Sequence, residues 1–515
     1  MPLLKRIERV RARARAPKLA PPNRRLRLLP VTTGEIVNDI HSQLNRTRVH
    51  AVVQPDALEA LQAAVRKARV EGRAICVAGG RHAMGGQQFG TDAVLLDMSR
   101  MNRVIRFDAV RRVVEVEAGI QWPELISYLI EAQRGHPEQF GIIQKQTGAD
   151  RLSLGGALAA NIHGRGLGLK PIINDVEAFV IVNAEGNALK CSRRENAELF
   201  RLAIGGYGLF GIIARVTLRL APRLKLERIV KIADSHNLIP AFEKRINEGF
   251  LYGDFQFMTD ADSDGFLRRG VFSCYRPEAV ENTIAEEHKE LSAENWRQLL
   301  YLAHTNRRRA FEVYSDHYLS TNGQLYWSDT HQLSVYLDDY HRELDAQSGA
   351  SALGSEMITE IYVPREKLLA FMEAARRDFR AHAVDLIYGT IRLIEKDDES
   401  FMAWAKESYA CVVFNLHVAH DHAGIEKAKR DFRRLIDRAI EHGGSYYLTY
   451  HAWATREQVL ACYPQFQEFL RLKLKYDRAE RFQSDWYRHY KEVFARRDDI
   501  TCRPSGTDLK TFSLP

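Results

Sequence analysis

The chain has 515 residues, 45% of them hydrophobic and 27% charged, a globular composition in a chain longer than one hydrophobic core usually supports. Its formal net charge of +8 raises the question of nucleic acid, but residues 1–27 alone hold ten Lys/Arg against Glu8, so the excess belongs to a basic arm and the remaining chain is close to neutral. That distribution gives no case for a nucleic-acid-binding body, and with no apolar run of about 18 residues and no apolar stretch near the N-terminus neither a membrane span nor a secretory signal is expected.

Residues 1–45 read as a basic, partly disordered arm. In a helical arm Leu3, Ile7, Val10 and Ala14 share one face, which suits peripheral contact with an anionic membrane surface; a solvated arm is the competing reading. The six cysteines, Cys76, Cys191, Cys274, Cys411, Cys462 and Cys502, are scattered without a C-x-x-C pair. Neither a metal site nor a disulfide framework is expected, and reduced thiols point to the cytoplasm.

After an irregular stretch at residues 30–48, residues 49–54 read as a strand. Pro55 and Asp56 then open a helix with apolar residues at Leu58, Leu61, Val65 and Ala68 and Gly72 past its end, ordinary boundary signals. A strand at residues 74–78 runs into Gly79-Gly80-Arg81-His82-Ala83-Met84-Gly85-Gly86-Gln87, and another follows at residues 93–98. Glycine lets an anionic ligand approach backbone N–H groups without a Cβ in the way, and successive amides in a turn form an anion nest. The stretch reads as a phosphate cradle with His82 in its mouth, or more plainly as a hairpin with a surface histidine.

Alternating strands fill residues 104–119, and Trp122-Pro123-Glu124-Leu125 starts a helix. A second glycine cluster, TGADRLSLGGALAANIHGRGLG at residues 147–168, sets Gly148, Ala149, Gly155, Gly156, Ala157, Ala159 and Ala160 where a backbone can lie flat against a large planar ligand. Strands at 176–182 and 188–190 precede a third cluster, L-F-x-x-x-x-G-G-x-G-x-F-G-I-I, from Leu199 to Ile213. A nicotinamide-type Rossmann unit needs G-x-G-x-x-G between a strand and a helix, whereas GGRHAMGG leads to a strand.

Beyond Pro222 the texture changes to strands and charged helices. Sheet is expected at residues 224–233 and 255–275, helix at 278–302, strand at 357–363, helix at 366–383, strands at 386–398 and 410–420, helix at 425–442, and strand at 443–454. Asn306-Arg307-Arg308-Arg309 reads as a solvated basic face.

The order AGGRHAMGGQQ, DMSRMNRV, VRRVVEVEAGIQWPEL and the two later glycine clusters, over residues 49–222, resembles the FAD-binding PCMH-type module of vanillyl-alcohol-oxidase-type flavoenzymes. The resemblance implies an α+β, two-domain vanillyl-alcohol-oxidase-type fold. An FAD-binding α/β domain would span residues 46–222, a substrate or cap domain with a sheet covered by helices 223–465, and a segment returning to the FAD domain 466–515. It implies FAD as cofactor, with Gly79, Gly80, Arg81, His82, Ala83, Gly85 and Gln87 in the pyrophosphate loop. Thr147, Gly148, Leu152, Ser153, Gly155, Gly156, Asn161, His163 and Gly164 would run along the isoalloxazine, and Gly206, Gly208, Gly211, Ile212 and Ile213 would close around the rest. His82 occupies the position that often carries the flavin covalently, with Ala83 in place of the common serine; covalent and noncovalent FAD both stay open.

The C-terminal half resembles more weakly the cap of aldonolactone oxidases and of bacterial oxidases acting on lipid-linked sugars. HGGSYYLTYHAWAT is similar to their closing region, and NIHGRG, in the second glycine cluster, is similar to the T-H-G-S-G of sugar-alcohol and aldonolactone oxidases. Tyr476-Asp477-Arg478 lacks the proline of the family's YDP element, and Thr390-Ile391-Arg392 stands where E-x-R is usual. The resemblance implies oxidation of a CH–OH group of a sugar, polyol, aldonolactone or related alcohol by hydride transfer to flavin N5, with oxygen or another electron acceptor. For that chemistry the candidates are Arg392 to anchor a substrate oxygen, His451 and His417 as bases, and Tyr450 as a hydrogen-bond partner of the substrate hydroxyl. Ile162, by resemblance beside the path of oxygen, tilts the reading slightly from oxidase to dehydrogenase. Two other classes stay open: a flavin-dependent C=C reductase, and a non-catalytic flavin-binding protein recruited to membranes by its arm.

Overall fold

A computed structural model describes residues 32–495 other than 286–287, 335–336 and 338–339. Of the arm expected at residues 1–45, residues 1–31 lie outside the described residues, as does Cys502; residues 32–45 are described, with Ile36–Val37 paired to Thr47–Arg48. Leu61, Val65 and Ala68 recur at the helical period and are buried along one face of the helix Leu58–Val70. Glu59 in its first turn and Lys67 and Arg69 in its last complement the helix dipole. This helix links strands Ala51–Val53 and Ile75–Ala78, which both pair in parallel with Val94–Asp97 between them. The glycine loop at residues 79–93 thus leaves the end of one parallel strand and returns through the next.

A second sheet is antiparallel, in the order Ala188–Ser192, Val176–Val182, Ile212–Pro222, Val113–Glu117, Val104–Asp108, with Phe140–Ile142 pairing beside the end of Ile212–Pro222. The largest sheet has eight antiparallel strands: Leu325–Trp327, Lys225–Asp234, Arg269–Glu278, Tyr252–Phe257, Leu386–Ile394, Tyr409–Ala419, Gly354–Pro364 and Ser445–Tyr446. Side chains alternate across it. Phe414 on one face packs its ring against Phe371 and Phe379 of the helix Leu368–Ala381, and the helix His422–Glu441 lies on the same side, burying Phe432, Leu435 and Ile436. The opposite face carries Glu356, Ile358, Glu360, Arg392, Val413 and Asn415 toward a cavity. One hydrophobic cluster runs from Val116 and Phe179 of the second sheet to Phe255, Met357 and Phe414 of the third.

Two expectations differ from the structure. The helix expected at 278–302 begins only at Ala293, because Ser292 accepts from the Asn295 N–H and the Asn295 side chain accepts from the Ser292 N–H, a reciprocal cap. Of the strand expected at 443–454 only Ser445–Tyr446 joins the sheet. The chain then turns toward the glycine loop, where the Gln87 side-chain amide donates to the carbonyls of Leu448 and Thr449 at 3.0 and 3.1 Å. The last described stretch closes back on the parallel unit. Asp477, paired with buried Lys473, accepts from the backbone N–H groups of Arg481 and Phe482, and residues 481–483 bond to both sides of Ile75. No helix among the described residues is long and apolar enough to cross a membrane.

Candidate flavin cleft and substrate cavity

The three glycine clusters converge because each lets another segment pass close. A Cβ on Gly79 would stand 1.9 Å from Ser153 Oγ, one on Gly80 2.3 Å from the Arg151 carbonyl oxygen, and one on Gly208 2.9 Å from Val77 Cγ1. Gly156 is different: its Cβ would meet only Ser153 Oγ, at 3.2 Å, so its open side faces the space enclosed. That space is a cleft of about 180 Å³.

Gly79, Gly80, Arg81, His82, Ala83, Gln87, Leu152, Ser153, Gly155, Gly156, His163, Gly208, Gly211 and Ile213 all line it. Thr147 and Gly148 instead line a larger cavity of about 470 Å³. The other expected cofactor residues stand behind the wall for definite reasons. Gly85 donates to the Thr449 carbonyl, Asn161 bonds Asp397 and Ser400, and Gly164 donates to Gln144. Gly206 lies under the Leu202 carbonyl, and Ile212 belongs to a separate hydrophobic cluster with Leu61 and Leu96.

Cleft and cavity share Glu360 and Tyr450. Glu360 Oε2 faces His163 Nε2 at 2.9 Å and accepts from the Tyr362 hydroxyl at 2.8 Å; Oε1 accepts from the Tyr450 hydroxyl at 2.8 Å. Burial pushes this carboxyl up, but His163, Arg392 and the Tyr450 hydroxyl together more than offset it and hold the pKa down at about 2. Cys411 Sγ lies 3.8 Å from both His163 Nε2 and Glu360 Oε2. Arg392, opposite Cys411 in the strand register, is 8% exposed, lines the cavity and has its Nε buried without an acceptor. A buried guanidinium without a hydrogen-bond acceptor is costly unless a ligand supplies one.

The sequence assigned no role to Glu360, Tyr362 or Cys411. Thr390, where the resemblance expects a carboxylate, stands in register with Val413, and so does Glu360 two strands away. The only signal was an acidic residue inside the apolar run MITEIYV.

His82 is also placed with a partner the sequence did not suggest. Its Nδ1 lies 2.7 Å from His41 Nε2. Burial lowers His82 to about 2 and His41 to about 4, so both rings are neutral at physiological pH.

The structure places neither proposed base at the cleft. His451 is 1% exposed and packed among Phe432, Tyr446 and Trp453, and burial lowers its pKa to about 3. It lines neither the cleft nor the cavity, and a ring boxed by aromatic groups meets no substrate. His417 does lie on the cavity side of its strand, but in register with Glu356, six residues from Cys411, at the far end from the cleft.

The cleft fits a dinucleotide flavin on the structure's own terms. Gln87 Oε1 and Gln88 Oε1, both on cleft residues, are buried without a hydrogen-bond partner. Gly156, Ala159 and Ala160 give a wall without bulk, and one end opens at Glu360 and Tyr450. Residues 49–192 match the family model described as "FAD binding domain". This part of the chain is an FAD binding domain. Among similar proteins, the L-gulonolactone oxidase of Bos taurus is 30% identical over 177 residues, 34% of this chain and 38% of that protein. L-galactono-1,4-lactone dehydrogenase 1, mitochondrial, of Oryza sativa subsp. japonica is 27% identical over 228 residues, 43% of this chain and 37% of its own length. An uncharacterized oxidoreductase of the fasciation locus of Rhodococcoides fascians is 28% identical over 218 residues, 42% of this chain and 48% of that protein. The chain thus spans less than half the length of each of these relatives.

The FAD binding domain supplies the cleft, and the eight-stranded sheet supplies Glu360 and Arg392 at its mouth. Gly156→Val places a branched side chain in the cleft and meets little else. It is expected to cut FAD affinity at least about tenfold, roughly 1.4 kcal/mol, with unchanged far-ultraviolet circular dichroism. Undiminished FAD binding in that variant would contradict the assignment of the cleft.

Proposed function

We propose that the chain is an FAD-dependent oxidoreductase that oxidises a CH–OH group of a sugar, polyol, aldonolactone or related alcohol. The meeting of the cleft and the cavity at Glu360 and Tyr450, with Arg392 unbonded beside them, carries this reading. Bound FAD supplies the hydride acceptor. The chain's own residues bind and orient the alcohol. The Tyr450 hydrogen is committed to Glu360 Oε1, which leaves the phenol oxygen as an acceptor for the substrate hydroxyl. The Arg392 fork donates to the same oxygen and favours the negative charge that develops there as the hydroxyl proton passes through the cavity to solvent water, so that hydride to the flavin and proton to water balance the oxidation.

Glu360 acts as a fixed negative charge that orients Tyr450 and balances Arg392. Held at about 2 against its ordinary 4.5, it favours the folded state above pH 4.5 and loses that contribution as pH falls toward 2. In this reading the eight-stranded sheet and its helices form the cap at residues 223–465. A cavity of about 470 Å³ walled by Trp296, Phe311, Tyr314, Tyr318 and Trp327 favours an alcohol carrying an apolar or aromatic body over a bare sugar.

We also propose His82 as the point of covalent flavin attachment, since a neutral imidazole bonded to His41 stands in the cleft wall. Yellow colour is expected to stay with acid-precipitated wild-type protein and to wash out of His82→Ala; colour released from both would contradict attachment.

Anaerobic mixing with a panel of polyols, aldonolactones and amphipathic alcohols is expected to bleach the bound flavin. Glu360→Gln should slow that bleaching at least about 100-fold, roughly 2.7 kcal/mol, at unchanged FAD content. The wild-type rate should show no fall between pH 7 and 5 from Glu360. Flavin that no alcohol reduces, but that an enone reoxidises after reduction by NAD(P)H, would replace this reading with a C=C reductase.

A further inference from the structure

Glu356 and Glu360 point from the same face of strand Gly354–Pro364, with Ile358 between them, and all three line the large cavity. Four residues of strand separate the two carboxylates by about 13 Å. Glu360 stands at the flavin cleft. Glu356 stands at the far wall, where three histidines from three other elements converge on it. His304 of the helix Ala293–Thr305 places Nε2 at 2.8 Å from Glu356 Oε1. His341 of the helix Tyr340–Ser348 places Nε2 at 3.2 Å from Oε2. His417 faces Glu356 directly across the strand pair, its ring 5.0 Å from that of His304 and nearly perpendicular to it.

The structure assigns to His304, Glu356 and His417, with His341 against the second carboxylate oxygen, a binding site for a divalent first-row transition ion such as Zn²⁺. One ligand atom each from His304, Glu356 and His417 lie within 4.8 Å of one another. A tetrahedral ion with bonds of about 2.0–2.2 Å sets its ligand atoms roughly 3.3 Å apart, within the span of these three atoms. Two imidazoles and one carboxylate select such an ion over Ca²⁺ or Mg²⁺. Hydrogen bonding alone leaves the cluster incomplete. Glu356 Oε2, on a side chain only 5% exposed, faces His341 without hydrogen-bond geometry, and His417 Nδ1 is buried without a partner. The sequence carried no metal signature because the ligands stand at residues 304, 356 and 417, each on a different element.

Glu356 and His341 line the cavity, so the ion faces the end of that space opposite Glu360. There it would bind an oxygen on the far end of a substrate whose reacting carbon lies at the cleft. This role rests on the proposed alcohol oxidation; the metal site itself does not.

The test is calorimetric titration of Zn²⁺ into the chelator-treated, FAD-loaded full chain, beside Glu356→Gln and His417→Ala. Stoichiometric binding is expected in the wild type, weakened at least about 100-fold in both variants, since even outer-shell partners are worth 10–100-fold. Unchanged FAD content checks that the variants fold. Should either also lose FAD, His304→Ala carries the comparison, because its helix touches the cluster and not the cleft. Wild-type binding no tighter than that of the variants overturns the site. The readout is metal alone, so failure to find an alcohol substrate has no bearing on whether the ion binds. Where Zn²⁺ binds and an alcohol is turned over, Glu356→Gln should raise KM with kcat little changed; an unchanged KM removes the substrate-facing role.

Discussion

A carboxylate buried in an apolar strand persists only if its charge is met, and the arrangement around Glu360 meets it from every side. His163 arrives from the second glycine cluster itself, Tyr450 from the stretch that leaves the sheet after Tyr446, Tyr362 from the same strand, and Arg392 from two strands away. Uncompensated, such a burial would cost several kcal/mol; compensated, it is one of the ties between the FAD binding domain and the eight-stranded sheet, beside the backbone bonds of Arg165 and Leu167 to the strand Tyr252–Phe257 and its approach. The geometry of both the cleft and the cavity follows from it, because each ends there.

The period-two alternation of the sheet does the rest. The face of Phe414 is taken up by the covering helices, so every second residue of three neighbouring strands is free to form a cavity floor. The floor therefore has two polar ends, at Glu360 and Glu356, with Ile358 between them and Asn415 beside it on the next strand. One end meets the flavin cleft, and the other gathers histidines. A single strand, Gly354–Pro364, supplies the carboxylate at each end.

Local order was legible where it is written in local spacing. The helix Leu58–Val70 and the strand, glycine loop, strand order around Gly79 follow from contiguous residues; the meeting of the three glycine clusters was legible only through the family resemblance. The reason for most of the glycines was not legible. Gly79, Gly80 and Gly208 make room for Ser153, Arg151 and Val77, segments remote in sequence, and Gly156 is the one whose open side faces the ligand space. Partners brought together by sheet order were equally hidden. Glu360 reads in MITEIYV as the polar side of a half-buried strand, and only the strand order places it beside Arg392. His451 looked reactive because TYHAW sits near the expected flavin border, yet Phe432, on the helix His422–Glu441, closes over its ring. His41, in a stretch with no periodic signal, could not be tied to His82 without the turn built on Asp39, whose carboxylate accepts from the backbone of His41, Ser42 and Gln43.

The central claim is that a flavin occupies the cleft with its reactive end at Glu360. It is tested most directly by saturating the full-length chain with FAD, removing the excess, and comparing flavin content and visible absorption with those of Glu360→Gln. The account predicts stoichiometric FAD in both proteins and a flavin absorption band that shifts when the neighbouring negative charge is removed. A chain that stays colourless, or equal loading with superimposable spectra, would contradict it.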